Sequence, residues 1–329
     1  MLRKIGFLVA LLLLLLPLAA TFADSVEDAF LCGNLAEADC AIKNNNSAVM
    51  DEVQAFAFVL LMRMDIEAAD PSENTSVTME GGGRVALDPA LMEASKALET
   101  AAGMDPAAMM SLANELFGGL AAEMSLIVTM AGADETSELP LNLLLKDGIV
   151  ALDMAAFADE SDESAAGWLG IELADIVDSA GQETDMTAEM GGMDHGALAE
   201  ARSIVRLPDS EVNGQPVAVF QTALEYEALL ESMGMVADLS GALGADAAAL
   251  EVVGDASLHV LEYISLVDSY TQRLELEIST MEEATGETAP FSFSMTMRLD
   301  MSEFNEPVNV ALPEDVFIMP LAMMRQMNQ

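Results

Sequence analysis

Residues 291–301 read FSFSMTMRLDM. Phe291, Phe293, Met295, Met297, Leu299 and Met301 alternate with Ser292, Ser294, Thr296, Arg298 and Asp300. A side-chain period of two is that of a β-strand with one dry face and one wet face. The dry face carries Phe and Met where a tight sheet core usually carries Val and Ile. Flexible, polarisable thioethers suit a surface that accommodates variable apolar shapes. A Met stripe at strand spacing is equally an ordinary way to fill a core, and the residues alone leave both readings open.

The same pattern recurs at the other end of the chain. In QAFAFVLLMRMDIEA, Phe56, Phe58, Leu60, Met62, Met64 and Ile66 fall on one face, which predicts a long strand over 54–67. TSVTMEG and GRVALD then read as a hairpin turning around Gly81–Gly83. Asp88-Pro89 and Asp105-Pro106 each place a cap before a proline at the first helical position, predicting helices near 89–101 and 106–118. The second aligns Met109, Leu112, Leu116 and Phe117 on one stripe. Strands resume at EMSLIVTMAG, LPLNLLLKDG and IVALDM, with Lys146-Asp147-Gly148 as a hairpin turn. Trp168 lies in a segment that also holds a short helix, and 181–197 reads as a loop. Asn213-Gly214 joins two strands, and a helical segment interrupted by glycines covers 226–250. ASLHVLEYISLVD and SYTQRLELEIST pair across Asp268-Ser269, and a short strand between prolines follows the last long one.

About eleven strands, mostly joined as neighbours, exclude the regular alternation of doubly wound and barrel α/β folds. The expected class is α+β: a large, strongly curved antiparallel sheet, a half-open barrel with helices packed on its concave face. The expected divisions are a leader over 1–23, an N-terminal segment over 24–53, one domain over 54–320 and a tail over 321–329.

The leader rests on Arg3 and Lys4, the apolar run Ile5–Leu16 and the small-x-small site at Thr21–Ala23. It implies export to a periplasmic, cell-surface or extracellular location, with an uncleaved leader kept as an anchor as the alternative. Arg3 and Lys4 leave with the leader, so 12 basic residues become 10 against 56 acidic ones, a net charge of −46. Such a field repels nucleic acid and anionic membrane surfaces, and nucleic acid is excluded as a partner. Cys32 and Cys40 are the two cysteines, and an even count after a leader suggests a local disulfide. Leu31 stands before Cys32 where a lipid-attachment motif needs a small residue.

Catalytic patterns are absent. No nucleophile elbow, zinc-protease helix, phosphate loop or dinucleotide fingerprint occurs. His195 and His259 are the two histidines, and His259, inside a strand, reads as a structural side chain. The expectation is a non-enzyme without cofactor. Met186, Met190, Met193 and His195 offer ligands that suit copper. With 25 methionines in the chain, such a loop also arises by chance.

VNGQPVAVFQTALEYEALL (212–230) and SEFNEPVNVALPEDV (302–316) resemble the closing parts of the LppX/LprG-type bacterial lipid-binding proteins of LolA-like fold. Trp168 in GWLGIEL, after the Asp147-Gly148 turn, occupies a similar place. The resemblance implies a half-open antiparallel barrel whose mouth is plugged by helices, with an apolar cavity for acyl chains. It also implies lipid or another apolar small molecule as partner, with membrane or envelope proteins as donors and acceptors. The missing lipid-attachment cysteine sets this chain apart from many such proteins. No ligand motif carries over, so the cavity lining expected here follows from alternation: Phe56, Phe58, Leu60, Met62, Met64, Phe291, Phe293, Met295 and Met297. Met109, Leu112 and Leu116 would cover it. A structural or interaction protein of the envelope with a filled core is the competing expectation.

Overall fold

A computed structural model describes residues 32–68, 70, 72, 74–88, 118–132, 136–157, 167–174, 202–225, 257–282 and 291–320. Twelve strands form one sheet, large, curved and not closed. They are β1 (Ala55–Glu67), β2 (Thr75–Leu87), β3 (Leu120–Ala131), β4 (Thr136–Lys146), β5 (Ile149–Asp153) and β6 (Trp168–Glu172). A second series follows: β7 (Arg202–Val212), β8 (Gln215–Glu225), β9 (Ser257–Ser265), β10 (Thr271–Glu282), β11 (Phe291–Ser302) and β12 (Phe317–Ile318). Their order across the sheet is β12-β6-β5-β4-β3-β2-β1-β11-β10-β9-β8-β7. Two antiparallel meanders thus run from opposite edges and meet where β1 pairs β11. Only the two-residue β12 runs parallel to its neighbour, β6.

The tight turns follow local chemistry. Asp147 and Gly148 (φ 52° and 75°) connect β4 to β5, and Asn213 and Gly214 (φ 53° and 80°) connect β7 to β8. Two successive left-handed residues make the hairpin turn whose twist matches the strands it joins.

Gly81–Gly83 do not turn the chain. They lie inside β2, a continuous strand paired with β1 on one side and β3 on the other. A Cβ on Gly81 would stand 2.1 Å from the Ser125 carbonyl oxygen, and one on Gly83 2.1 Å from that of Glu123. At Gly82 it would meet the Phe58 oxygen at 2.5 Å. The glycines serve close approach of neighbouring backbones on both sides of β2.

The described residues form twelve strands, in line with the expected number of about eleven. Other expectations change. Trp168 opens strand β6, and the last short strand is Phe317–Ile318, beyond Pro313, instead of lying between Pro307 and Pro313. The polar N-terminal segment is helical: α1 spans Glu37–Met50. Its helicity is set by tertiary contacts more than by propensity, since its buried residues are Lys43, Asn46 and Ser47. Asn46 Nδ2 donates to the Ser269 carbonyl (2.8 Å) and to Thr271 Oγ1 (2.9 Å). Leu35 and Ile42 pack on Ile204, Ala218, Phe220 and Ile264. Glu37 and Asp39 sit in the first turn, where the helix dipole favours negative charge. Cys32 and Cys40 form a disulfide, with Cα atoms 5.0 Å apart, that ties down the start of the helix. The expected leader, the expected helices at 89–101, 106–118 and 226–250, and the loop at 181–197 lie outside the described residues.

Candidate functional site

Register decides which side chains share a face. Met62 on β1 stands opposite Met297 on β11 and Met79 on β2. Val128 on β3 and Leu139 on β4 extend that row one way; Leu276 on β10 and Val260 on β9 extend it the other way. The next row on the same face carries Met130, Val77, Met64, Met295 and Ile278. A third holds Leu141, Leu126, Leu60, Leu299 and Leu274. Most of the sheet's width is therefore covered on one side by aliphatic, thioether and phenyl groups.

The face is not uniformly closed. Its centre is dry: Met62 and Met79 are each 1% exposed, and Leu60, Leu126, Val128 and Leu141 are buried with them. Phe56, Phe58, Met64, Phe293 and Met295 are half-buried around that centre. Phe56 and Phe58 hold their rings 6.4 Å apart in a tilted pair. Gly81 and Gly83 belong to this face by register, and Leu126 and Met124 reach over them, 3.0 Å from where a Cβ would stand.

Toward β7 the face turns polar beneath α1. Glu262 pairs with Lys43 of the helix and accepts a hydrogen bond from Thr271 Oγ1 (3.2 Å). The Phe220 ring lies 5.6 Å from Lys43 Nζ and 5.1 Å from the Arg206 guanidinium. Arg206 also approaches Asp39 of α1, at 3.5 Å. The helix thus covers the polar end of the face with matched charges, which limits the cost of removing them from water.

The opposite face is polar and laced with ion pairs. Arg63 is held by Asp65 (2.6 Å), Arg84 by Glu303 (2.8 Å), and Asp300 pairs with both Arg273 and Arg298. The Arg63 hydrogen bond keeps the Asp65 carboxyl below the usual carboxylate range. Tyr263 Oη donates to Glu275 (2.8 Å). Burial first, then that carboxylate, push the Tyr263 phenol up to about 12. His259 is half-buried, with Nδ1 3.5 Å from Gln221 Nε2.

Two hollows in the described surface, of about 560 and 710 Å³, are lined mainly by residues of this polar face. Neither contains the Phe and half-buried Met side chains expected to line a cavity. Those residues instead share the apolar face, with Leu60, Met62 and Met297 at its buried centre. The side chain of Phe291 and the residues Met109, Leu112 and Leu116 fall outside what is described, as do Met186, Met190, Met193 and His195. Among the described residues no cluster of His, Cys, Asp or Glu could hold a metal ion, and no helix is long and apolar enough to cross a membrane. The alternation read on β1 and β11 missed Met79, Met124, Met130, Leu126 and Leu141 as members of the same surface.

No family model matches the chain, and no curated protein matches it. Among solved structures it is similar to LprF from Mycobacterium bovis, at 8% identity and a TM-score of 0.36, covering 84% of this chain and 97% of that one. It is similar to the lipoprotein LppX of Mycobacterium tuberculosis at 10% identity and a TM-score of 0.36, over 82% of this chain and 97% of that one. The chain resembles LppX/LprG-type structures. At these TM-scores the likeness carries no argument about what the apolar face holds, which rests on the residues themselves.

Proposed function

We propose that the protein is a non-enzymatic carrier or sensor of lipid or another apolar ligand outside the cytoplasm, and that the ligand lies against the apolar face of β1–β4, β10 and β11. The observation that supports this is the ring of half-buried Phe56, Phe58, Met64, Phe293 and Met295 around a dry centre. Such side chains leave apolar surface that an acyl chain would remove from water, at about 25 cal/mol per Å² before ordering costs. Thioethers adapt to chains of different length and unsaturation. The acidic exterior keeps such a carrier soluble and limits adhesion to anionic headgroups. Donor and acceptor proteins of the membrane or envelope belong to the same reading.

The test is organic extraction of the purified protein followed by mass spectrometry, together with uptake of a fluorescent fatty acid. Stoichiometric lipid, and probe uptake reduced by Met64→Glu and Met295→Glu, are the expected results. An empty extract with no uptake sinks the proposal. It would favour the second reading, a structural envelope protein with a filled core, which the 1% exposure of Met62 and Met79 supports at the centre of the face.

A further inference from the structure

The polar face of the central strands contains an apolar island. Val59 and Leu61 on β1 and Ile127 on β3 are 59%, 44% and 44% exposed, and Pro140 on β4 is exposed beside them. Register places Leu61, Glu80, Ile127 and Pro140 in one row and Val59, Gly82, Ser125 and Asn142 in the next. A hollow of about 560 Å³ opens over these rows, with Val59, Leu61, Glu80, Gly81, Ile127 and Pro140 in its lining. The rim is acidic. Glu80, Glu123 and Glu138 project on this face of β2, β3 and β4, and none of them has an ion pair among the described residues. The one basic side chain lining the hollow, Arg298, is held by Asp300 at 2.7 Å.

An apolar centre within a polar rim is the anatomy of a protein interface, and a rim with a net excess of one sign selects its partner by charge. We propose that this face docks a protein segment that presents an aliphatic or aromatic side chain flanked by lysine or arginine. The apolar side chain enters the hollow between Val59, Leu61, Ile127 and Pro140, and the basic groups meet Glu80, Glu123 and Glu138. The hollow is too open to enclose a small molecule, as the exposure of Val59 shows. A second copy of this chain would oppose its own acidic rim across a two-fold axis. This surface lies opposite the apolar face of the carrier reading and does not depend on it.

The experiment measures fluorescence anisotropy of a labelled amphipathic Leu/Lys peptide with the purified protein, beside Leu/Glu and Ser/Lys peptides of equal length. Two variants add the same charge: Ile127→Lys in the island and Val205→Lys on β7, which is 49% exposed. Tighter binding of Leu/Lys than of either control is expected. Ile127→Lys should weaken it at least about tenfold and Val205→Lys less than about threefold, with thermal melts and fatty-acid uptake unchanged. No binding of the Leu/Lys peptide overturns the proposal. So does equal binding of Ser/Lys, or equal weakening by the two variants, since either outcome assigns the effect to the net charge of the whole molecule.

Discussion

Gly83 shows how one missing Cβ governs packing. Its neighbour's carbonyl oxygen occupies the space at 2.1 Å, and that oxygen belongs to backbone which cannot rotate away. Gly83→Ala should cost about 1–3 kcal/mol through forced backbone shifts, read as a lower midpoint in urea denaturation. Gly118→Ala is the control, because nothing stands within 4 Å of its Cβ position. Tyr263 makes a second test. Its folded pKa is raised to about 12, above the ordinary value of 10.0, so the neutral phenol is the form that folding favours. Its contribution is complete below about pH 10 and is lost as pH rises toward 12. Absorbance titration should show a phenolate step near pH 12 that Tyr263→Phe removes. The same substitution flattens the fall in stability across that window.

At the scale of elements, β1, β11 and the two glycine hairpins were legible because each is written locally: large apolar side chains recur at every second position from Phe56 to Ile66 and from Phe293 to Met301, and Asp-Gly and Asn-Gly specify their turns. Strand β2 was hidden by its own glycines. Gly81-Gly82-Gly83 looks like a turn to any local reading, yet Val77, Met79, Val85 and Leu87 keep strict period two through it. Following the period past the glycines would have recovered the strand and added Met79 to the candidate surface. Helix α1 was illegible for a different reason: Lys43, Asn44, Asn45 and Asn46 carry no apolar stripe, and their partners Glu262, Ser269 and Thr271 lie far along the chain. Those contacts predict a specific energetic pattern. Lys43→Met should cost about 3–5 kcal/mol by leaving Glu262 buried without its counter-charge. Lys43→Met with Glu262→Leu should recover most of that loss, and chemical denaturation of the three proteins checks both statements.

For the whole molecule, 56 acidic residues against 12 basic ones make self-repulsion a global term. Screening shortens its reach from about 10 Å at 0.1 M salt to about 3 Å at 1 M. The melting temperature should therefore climb as sodium chloride is added at neutral pH, and a calorimetric salt series that stays flat would contradict a repulsive exterior. The architecture has its own large-scale logic. The seam between the two meanders joins the first long strand to the last, and Asn305 locks it: its backbone N–H donates to Ala55, and its side-chain oxygen accepts from Gln54, 251 residues away in sequence. A chain emerging N-terminus first would leave one hydrogen-bonding edge of β1 unpaired until β11 has also emerged. The fold is in this sense a clasp whose two halves are made at opposite ends of the polymer. Such a clasp cannot shut early: the β1–β5 meander can pair strand by strand, but the seam is completed only when the last long strand arrives.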